Sequence, residues 1–198
     1  MRIWLVALFL LSVSAQVRAS VDCGIYPPKV GEDGGGWSDC ALKEAGQGPL
    51  WHALNDPRVT QVARFVFNEG HGSFFRYVTI TENIDGTAWL QSGGSGRTVR
   101  HIRGAIATKR RKLDSSEIAE LKTAIFASDA FKFEIGSWDG DELYMHCQFL
   151  EMERADSEGY RYSSVNIGCN HPDRLMPLVN LIVRLGGLKS LNDGHLYY

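Results

Sequence analysis

The stretch from residue 142 to residue 169 limits the possible folds of this chain more than any other segment. Two strand-like runs flank the turn sequence Asp156-Ser157-Glu158-Gly159, which is typical of a β-hairpin. A three-residue loop with Gly159 in the left-handed position places Cys147 directly opposite Cys169. Facing residues on paired strands have Cα atoms about 4.5–5.5 Å apart, within the range of about 4.4–6.8 Å that a disulfide requires. We therefore predict a hairpin closed by a Cys147–Cys169 disulfide.

The two faces of this hairpin differ in composition. The predicted core face is apolar and consists of Leu143, Met145, Cys147, Phe149, Val165 and Ile167. Glu151 and Glu153 continue this face, which predicts a charged tip beyond the core with Arg161 close to Glu153. The other face carries Leu150, Met152 and five aromatic or polar side chains. If no helix covers that face, these five form a candidate binding surface, because such side chains are common at recognition sites: Tyr144, His146, Gln148, Tyr162 and Asn166.

The other two cysteines, Cys23 and Cys40, lie in a segment rich in glycine and proline, residues 20–48. Four cysteines allow three disulfide pairings, and free thiols are the alternative. We predict Cys23–Cys40, since a local cross-link best holds an irregular segment in place. In the chain-entropy model it stabilises the fold by roughly 3 kcal/mol. Trp37 is expected to anchor this segment to the rest of the protein.

Residues 1–19 have the pattern of a secretory signal peptide, which also explains why cysteines are expected to be oxidised. Arg2 precedes an apolar run over residues 3–13, and small residues at 17 and 19 suit cleavage after Ala19. Cleavage after Ala15 is the alternative. The apolar run is too short for a stable membrane anchor. The sequence thus predicts a periplasmic or secreted protein with no membrane span in the mature chain.

Composition restricts the class of partner. The chain is 44% hydrophobic and 22% charged, which is typical of a globular protein. Removal of residues 1–19 takes away Arg2 and Arg18 and changes the net charge from −2 to −4. A mildly acidic exported protein is a poor candidate for binding nucleic acid or anionic membranes.

The order of predicted elements indicates an α+β fold. Strands are expected at 59–68, 73–82, 87–91 and 98–109, with an Asp85-Gly86 turn and a flexible loop over 91–97. Asp114 and Glu117 form a capping-box pattern before a helix whose apolar stripe is Ile118, Leu121, Ile125 and Phe126. A closing helix carries Leu175, Leu178, Val179, Ile182 and Leu185. We predict an antiparallel β-sheet with two helices packed on one face and two disulfides, forming one domain over 49–188 before a tail, 189–198.

Motifs for catalysis or metal binding are missing from the sequence. None of the six histidines lies in an HExxH or HxH motif, and the sequence has no CxxC motif. Asp139, Asp141 and Glu142 match only a fragment of a calcium loop. The run 92–96 lacks the following helix that a phosphate loop needs. We therefore assign no catalytic residue, no metal and no cofactor. The basic run 109–112 is expected to solvate a strand end, with contact to an acidic partner as the alternative.

Residues 62–187 resemble a family of small exported bacterial proteins of unknown function. The similar runs are VARFVFN, FFRYVTITENIDGTAWL, LDSSEIAELKTAIF, WDGDELYMHCQFLE and GYRYSSVNIGCNHP. They share an element order and an Asp-Gly turn rather than catalytic residues. The resemblance implies the α+β fold and export, and no activity.

These patterns favour an envelope protein that binds another envelope or secreted protein, as an inhibitor or immunity factor does. A structural or ligand-sensing periplasmic role is one alternative. A hydrolase that uses His71 or His146 with a nearby carboxylate is the other.

Overall fold

A computed structural model describes residues 23–32, 36–69, 74–97, 103–138, 147–170 and 172–188. The predicted signal peptide and the tail 189–198 lie outside these residues, so both remain predictions. The described helices are α1 (Pro28–Glu32), α2 (Asp39–Glu44), α3 (Ser115–Ser128) and α4 (Met176–Leu185), with a 3₁₀ helix at Leu50–Asn55. The strands are β1 (Val59–Glu69), β2 (Phe74–Asn83), β3 (Ala88–Arg97), β4 (Arg103–Lys112), β5 (Ile135–Ser137), β6 (Gln148–Asp156) and β7 (Gly159–Asn166).

The seven described strands form one sheet in the order β4-β3-β2-β1-β6-β7-β5. All neighbours are antiparallel except β5, which runs parallel to β7. The α+β class predicted from the sequence is confirmed. The described residues contain no helix that is long and apolar enough to cross a membrane.

β1 is the central strand, and both of its faces are covered. Val62, Ala63, Phe65, Val66 and Phe67 are all buried. A strand buried on both sides has a nearly continuous apolar sequence. The run 62–67, which is apolar apart from Arg64, has this pattern.

Helices α3 and α4 pack on one face of the sheet, as predicted. Asp114 caps α3, and the side chain of Glu117 accepts a hydrogen bond from the backbone N–H of Asp114. The predicted apolar residues of α4 are all buried, and the main core lies between this helix pair and Phe65, Val78, Leu150, Met152 and Val165.

Residues 23–48 form a third layer on the opposite face of the sheet. The short helices α1 and α2 carry Val30 and Leu42 into a second core together with Val66, Tyr77 and Tyr162. The Cys23–Cys40 disulfide, with its Cα atoms 5.1 Å apart, closes this segment. We call residues 23–48 the N-terminal layer.

The hairpin differs from the prediction by one residue in register. Its loop has two residues, because Asp156 pairs with Gly159, and Leu150 therefore pairs with Val165. A one-residue slip moves a set of side chains to the other face. Leu150 and Met152 thus belong to the helix-covered core, whereas Glu151 and Glu153 point toward the N-terminal layer.

The Cys147–Cys169 disulfide forms despite this shift, with its Cα atoms 5.7 Å apart. The carbonyl of Gln148 accepts hydrogen bonds from the N–H groups of both Ile167 and Gly168. Two residues that follow β7 thus lie opposite one residue of β6. This extra residue compensates for the register shift and places Cys169 opposite Cys147.

The predicted loop over 91–97 is wrong, because these residues continue strand β3 to Arg97. Tyr77 lies across Gly93, where a Cβ atom would stand 2.7 Å from the tyrosine oxygen. The pairing with β4 shifts register between Ser92 and Gly94, which marks a β-bulge. In the sheet, Gly93 provides space for the side chain of Tyr77, and Gly94 allows close approach of the β2 backbone.

Candidate functional site

The binding surface predicted on the hairpin is largely covered. Tyr162 is 1% exposed and Asn166 is 2% exposed, while Gln148 is half-buried. Tyr144 and His146 lie outside the described residues. The correction has two physical causes. The register shift places Gln148 on the helix side of the sheet, and the N-terminal layer packs on the opposite face, which carries Tyr162 and Asn166.

Glu151 lies at the centre of the contact between this layer and the sheet. Its carboxylate accepts hydrogen bonds from the backbone N–H of Trp37 at 2.8 Å and from the hydroxyl of Tyr162 at 2.8 Å. The hydroxyl of Tyr26 donates to its other oxygen at 3.3 Å. Tyr162 in turn accepts a hydrogen bond from the N–H of Gly36 at 3.0 Å. Glu151 therefore satisfies donors of the N-terminal layer instead of projecting into solvent.

Glu153 forms a buried ion pair with Arg64 on the neighbouring strand β1. The predicted contact with Arg161 is wrong, because Arg161 instead lies near Glu158. The guanidinium of Arg64 also donates to the carbonyl of Gly48 at 3.0 Å. Tyr160 donates to the free oxygen of Glu153 at 2.9 Å. Arg64 thus connects the sheet with the last residue of the N-terminal layer.

Burial dominates the electrostatics of this cluster. It raises the pKa of Glu151 and of Glu153, although the nearby charge of Arg64 opposes the effect on Glu153. Burial and the two carboxylates also raise the pKa of Tyr26 and Tyr162 well above the usual value. Because these side chains are enclosed, the cluster is a structural connection and offers no surface for a substrate.

The sequence contains a signal for this buried cluster in the charge pattern of β1 and β6. Glu151 and Glu153 alternate within an apolar strand, and Arg64 is the only charged residue in the apolar run 62–67. Charged residues are buried almost exclusively when they are paired. The opposite charges of Arg64 and the two glutamates are therefore consistent with a buried ion pair. Which glutamate pairs with Arg64 depends on the order and register of the strands.

Asp39 organises the start of the N-terminal layer. Its carboxylate accepts hydrogen bonds from the backbone N–H groups of Cys23, Ile25 and Tyr26. Asp39 lies close to the sulfur atoms of Cys23 and Cys40. Both sulfurs are held in the disulfide, so this group is not a metal site.

An exposed concave surface lies between α3 and the β6–β7 loop. It encloses about 590 Å³, and its wall includes Lys122, Phe126, Asp129, Lys132, Arg154 and Glu158. We call it the hairpin groove. The predicted projecting tip of the hairpin is therefore one wall of this groove.

Phe126 differs from the other members of the predicted apolar stripe of α3. Leu121 is buried and Ile118 and Ile125 pack partly against the core, but Phe126 is 85% exposed. The prediction that Phe126 belongs to the buried stripe is wrong, because this stripe is narrower than the four residues suggested. Its side chain instead lies at the rim of the hairpin groove.

Most charged groups of the groove are arranged in pairs, and Lys132 lies over the rings of Phe133 and Trp138. Lys122 forms an ion pair with Glu82, and Arg174 forms one with Asp129. Arg154 pairs with Asp156 at 2.8 Å and lies over the ring of Phe131 at 5.4 Å. The groove therefore combines hydrogen-bonding groups of both signs around an exposed aromatic side chain.

The predicted alternative of a histidine-based hydrolase is not tested. His71 and His146 lie outside the described residues, and among the six histidines only His52 lies within them. The described residues therefore assemble no histidine–carboxylate pair for that chemistry.

Comparison with known proteins does not extend these observations. No model of a known protein family matches the chain, and no curated protein is a significant match. The resemblance of residues 62–187 to small exported proteins therefore stays a prediction.

Proposed function

We propose that this protein is an exported binding module of the cell envelope that recognises another envelope or secreted protein through the hairpin groove. An inhibitor or an immunity factor acts in this way. The observation that carries the proposal is the 85% exposure of Phe126 at the rim of the groove.

Phe126 has the properties of an interface anchor. It lies on α3, whose start is capped by Asp114 and whose middle is held by packing of Leu121 into the core. A large aromatic side chain on a rigid element loses little conformational freedom on binding, and aromatic residues are enriched among the side chains that dominate binding energy. The partner is expected to provide an apolar pocket for this ring.

The surrounding charges suit the rim of a protein interface. Lys132, Asp129 and Glu158 place both signs of charge around Phe126. Polar groups at a rim contribute orientation and association rate more than affinity. A partner with complementary charges around an apolar pocket fits this arrangement.

Export is supported by two features. Both described disulfides are of the kind that persists in an oxidising compartment. The signal-peptide pattern of residues 1–19 agrees with this location. We propose that the mature protein is periplasmic or secreted and begins after Ala19 or Ala15.

The test compares two substitutions of exposed apolar side chains. The oxidised mature protein is immobilised, and an envelope extract is passed over the wild type, Phe126→Ser and Ile84→Ser. Ile84 is a matched control because it is 74% exposed and does not line the groove. We expect the captured partner to bind Phe126→Ser at least about tenfold more weakly, because an anchor residue contributes roughly 2 kcal/mol or more.

Both variants are expected to keep the thermal unfolding midpoint, since exposed substitutions change stability by roughly 0.5 kcal/mol or less. Equal capture by Phe126→Ser and the wild type contradicts the role of the groove. No partner of the wild type under several growth conditions contradicts the binding function.

A further inference from the structure

Strand β4 forms one edge of the sheet, and the sequence around it is strongly basic. Among the described strands β4 pairs only with β3, so one side of its backbone has no strand partner. Residues 86–113 contain seven Lys or Arg residues and no Asp or Glu, although the whole chain has a net charge of −2. Positive charge is therefore concentrated at one edge of an acidic molecule.

The described end of this strand, residues 108–112, presents most of its cations to solvent. Arg111 is the exception, since it pairs with Glu117 at 2.8 Å and donates to the carbonyl of Leu185 at 3.1 Å. Lys109, Arg110 and Lys112 are exposed. In the part of the chain that the structure describes, none of these three forms an ion pair within 4.0 Å.

The two faces of the strand both carry charge. Arg110 and Lys112 pair with Gln91 and Trp89, on the face opposite the helices, and Arg110 lies 4.8 Å from the centre of the Trp89 ring. Lys109 alternates with them and belongs to the helix side. A second strand along this edge would meet a cation on either face.

We propose that β4 binds an acidic, extended segment of a partner protein, which adds to the sheet as a further strand. The unpaired backbone of an edge strand supplies main-chain hydrogen bonds, and opposite charges on facing residues stabilise the added strand. This surface shares no residue with the hairpin groove, so the proposal does not depend on the groove.

A second copy of the chain does not fit this edge. Two β4 strands side by side would place like charges opposite each other, which destabilises pairing. Lysine and arginine on edge strands are a known means of preventing self-association. The same charges select an acidic strand over a copy of the protein.

A bilayer is also the weaker choice of partner. Membrane-surface segments combine basic residues with apolar side chains that enter the lipid. Among the described side chains of β4, none is an exposed large hydrophobic residue. The backbone edge, by contrast, presents alternating donors and acceptors that match those of an extended peptide and not those of a lipid surface.

The test uses the oxidised mature protein and a fluorescent twelve-residue peptide of alternating Glu and Thr. Binding is measured by fluorescence anisotropy against Lys109→Glu/Arg110→Glu/Lys112→Glu. The matched control is Lys29→Glu/Lys43→Glu/Arg174→Glu, which changes net charge equally at other exposed positions. We expect the β4 variant to bind at least tenfold more weakly and the control variant to bind within threefold of wild type.

Strand addition is tested separately with two further peptides, N-methylated at the odd or at the even residues. Methylation removes main-chain donors along one edge and leaves the charges unchanged, so one of the two is expected to lose at least tenfold in affinity. Equal binding of both methylated peptides overturns strand addition. Weak binding of the parent peptide, or equal loss in the control variant, overturns the site, as does binding of phosphatidylglycerol vesicles without binding of the peptide.

Discussion

Glu151 is a buried carboxylate whose neighbours are mainly hydrogen-bond donors. One oxygen accepts from Trp37 and Tyr162, and the other accepts from the hydroxyl of Tyr26. Burial nevertheless raises the pKa of Glu151, because removal from water disfavours the charged form. Folding therefore shifts the protonation equilibrium of Glu151 toward the neutral form, relative to the unfolded chain.

The stability contributed by Glu151 depends on pH in a defined direction. Since its pKa in the folded protein is above the usual value of about 4.3, its stabilising effect is complete below that value and is lost as pH rises through the folded-state pKa. Glu151→Gln keeps an acceptor for Trp37 and Tyr162 and removes the titration. We expect the unfolding free energy of the wild type to fall relative to Glu151→Gln as pH rises above the ordinary glutamate pKa, as measured in urea titrations at a series of pH values.

The difference between the two proteins isolates this residue, because Glu153 and the surface groups are common to both. A difference that stays constant with pH contradicts the raised pKa.

At the level of elements, strand β3 depends on its glycines. A Cβ atom at Gly94 would overlap the backbone carbonyl oxygen of Phe75, and the β-bulge lies at this position. The backbone of β2 cannot move away without losing its pairing with the central strand β1. Position 94 therefore requires a residue without a side chain.

We expect Gly94→Ala to destabilise the protein by about 2 kcal/mol or more, since the clash is with backbone in a packed sheet. Gly31→Ala is the matched control, because nothing lies within 4 Å of its Cβ position. This control is expected to change stability by less than about 1 kcal/mol. Chemical denaturation measures both, and equal stability of Gly94→Ala and the wild type contradicts the close approach.

For the whole molecule, the main feature is the three-layer arrangement. Helices α3 and α4 cover one face of the sheet, and the N-terminal layer covers the other. That layer is short and is closed internally by the Cys23–Cys40 disulfide, and hydrogen bonds from Trp37 to Glu151 and from Arg64 to Gly48 attach it to the sheet. We therefore expect the N-terminal layer to open at a lower free energy than the sheet, without unfolding of the sheet.

Removal of the disulfide by Cys23→Ser/Cys40→Ser is expected to lower the unfolding free energy by roughly 3 kcal/mol. Hydrogen exchange should accelerate most at the amides of Tyr26 and Trp37, whose acceptors are Asp39 and Glu151. Cys147→Ser/Cys169→Ser serves as the comparison, since that bridge lies within the hairpin. Equal acceleration throughout the sheet contradicts an N-terminal layer that opens by itself.

Local patterns in the sequence were sufficient for several features. The Asp114 cap, the Asp85-Gly86 turn, the apolar positions of α4 and both disulfide pairings depend on residues close in the chain or on a hairpin, and the structure confirms them. Helix caps, tight turns and helical periodicity depend on interactions between residues that are close in the chain, so a local sequence pattern is enough to predict them.

Other features depended on the tertiary structure. The hairpin register follows from whether the loop has two or three residues, and that choice decided whether Glu151 and Glu153 lay on the core edge or under the N-terminal layer. The exposure of Phe126 depends on how much of α3 the sheet and α4 cover. The sequence by itself determined the helix cap, the Asp85-Gly86 turn, the apolar positions of α4 and the cross-links. The packing of distant segments decided which faces are buried, because burial depends on contacts that no local pattern encodes.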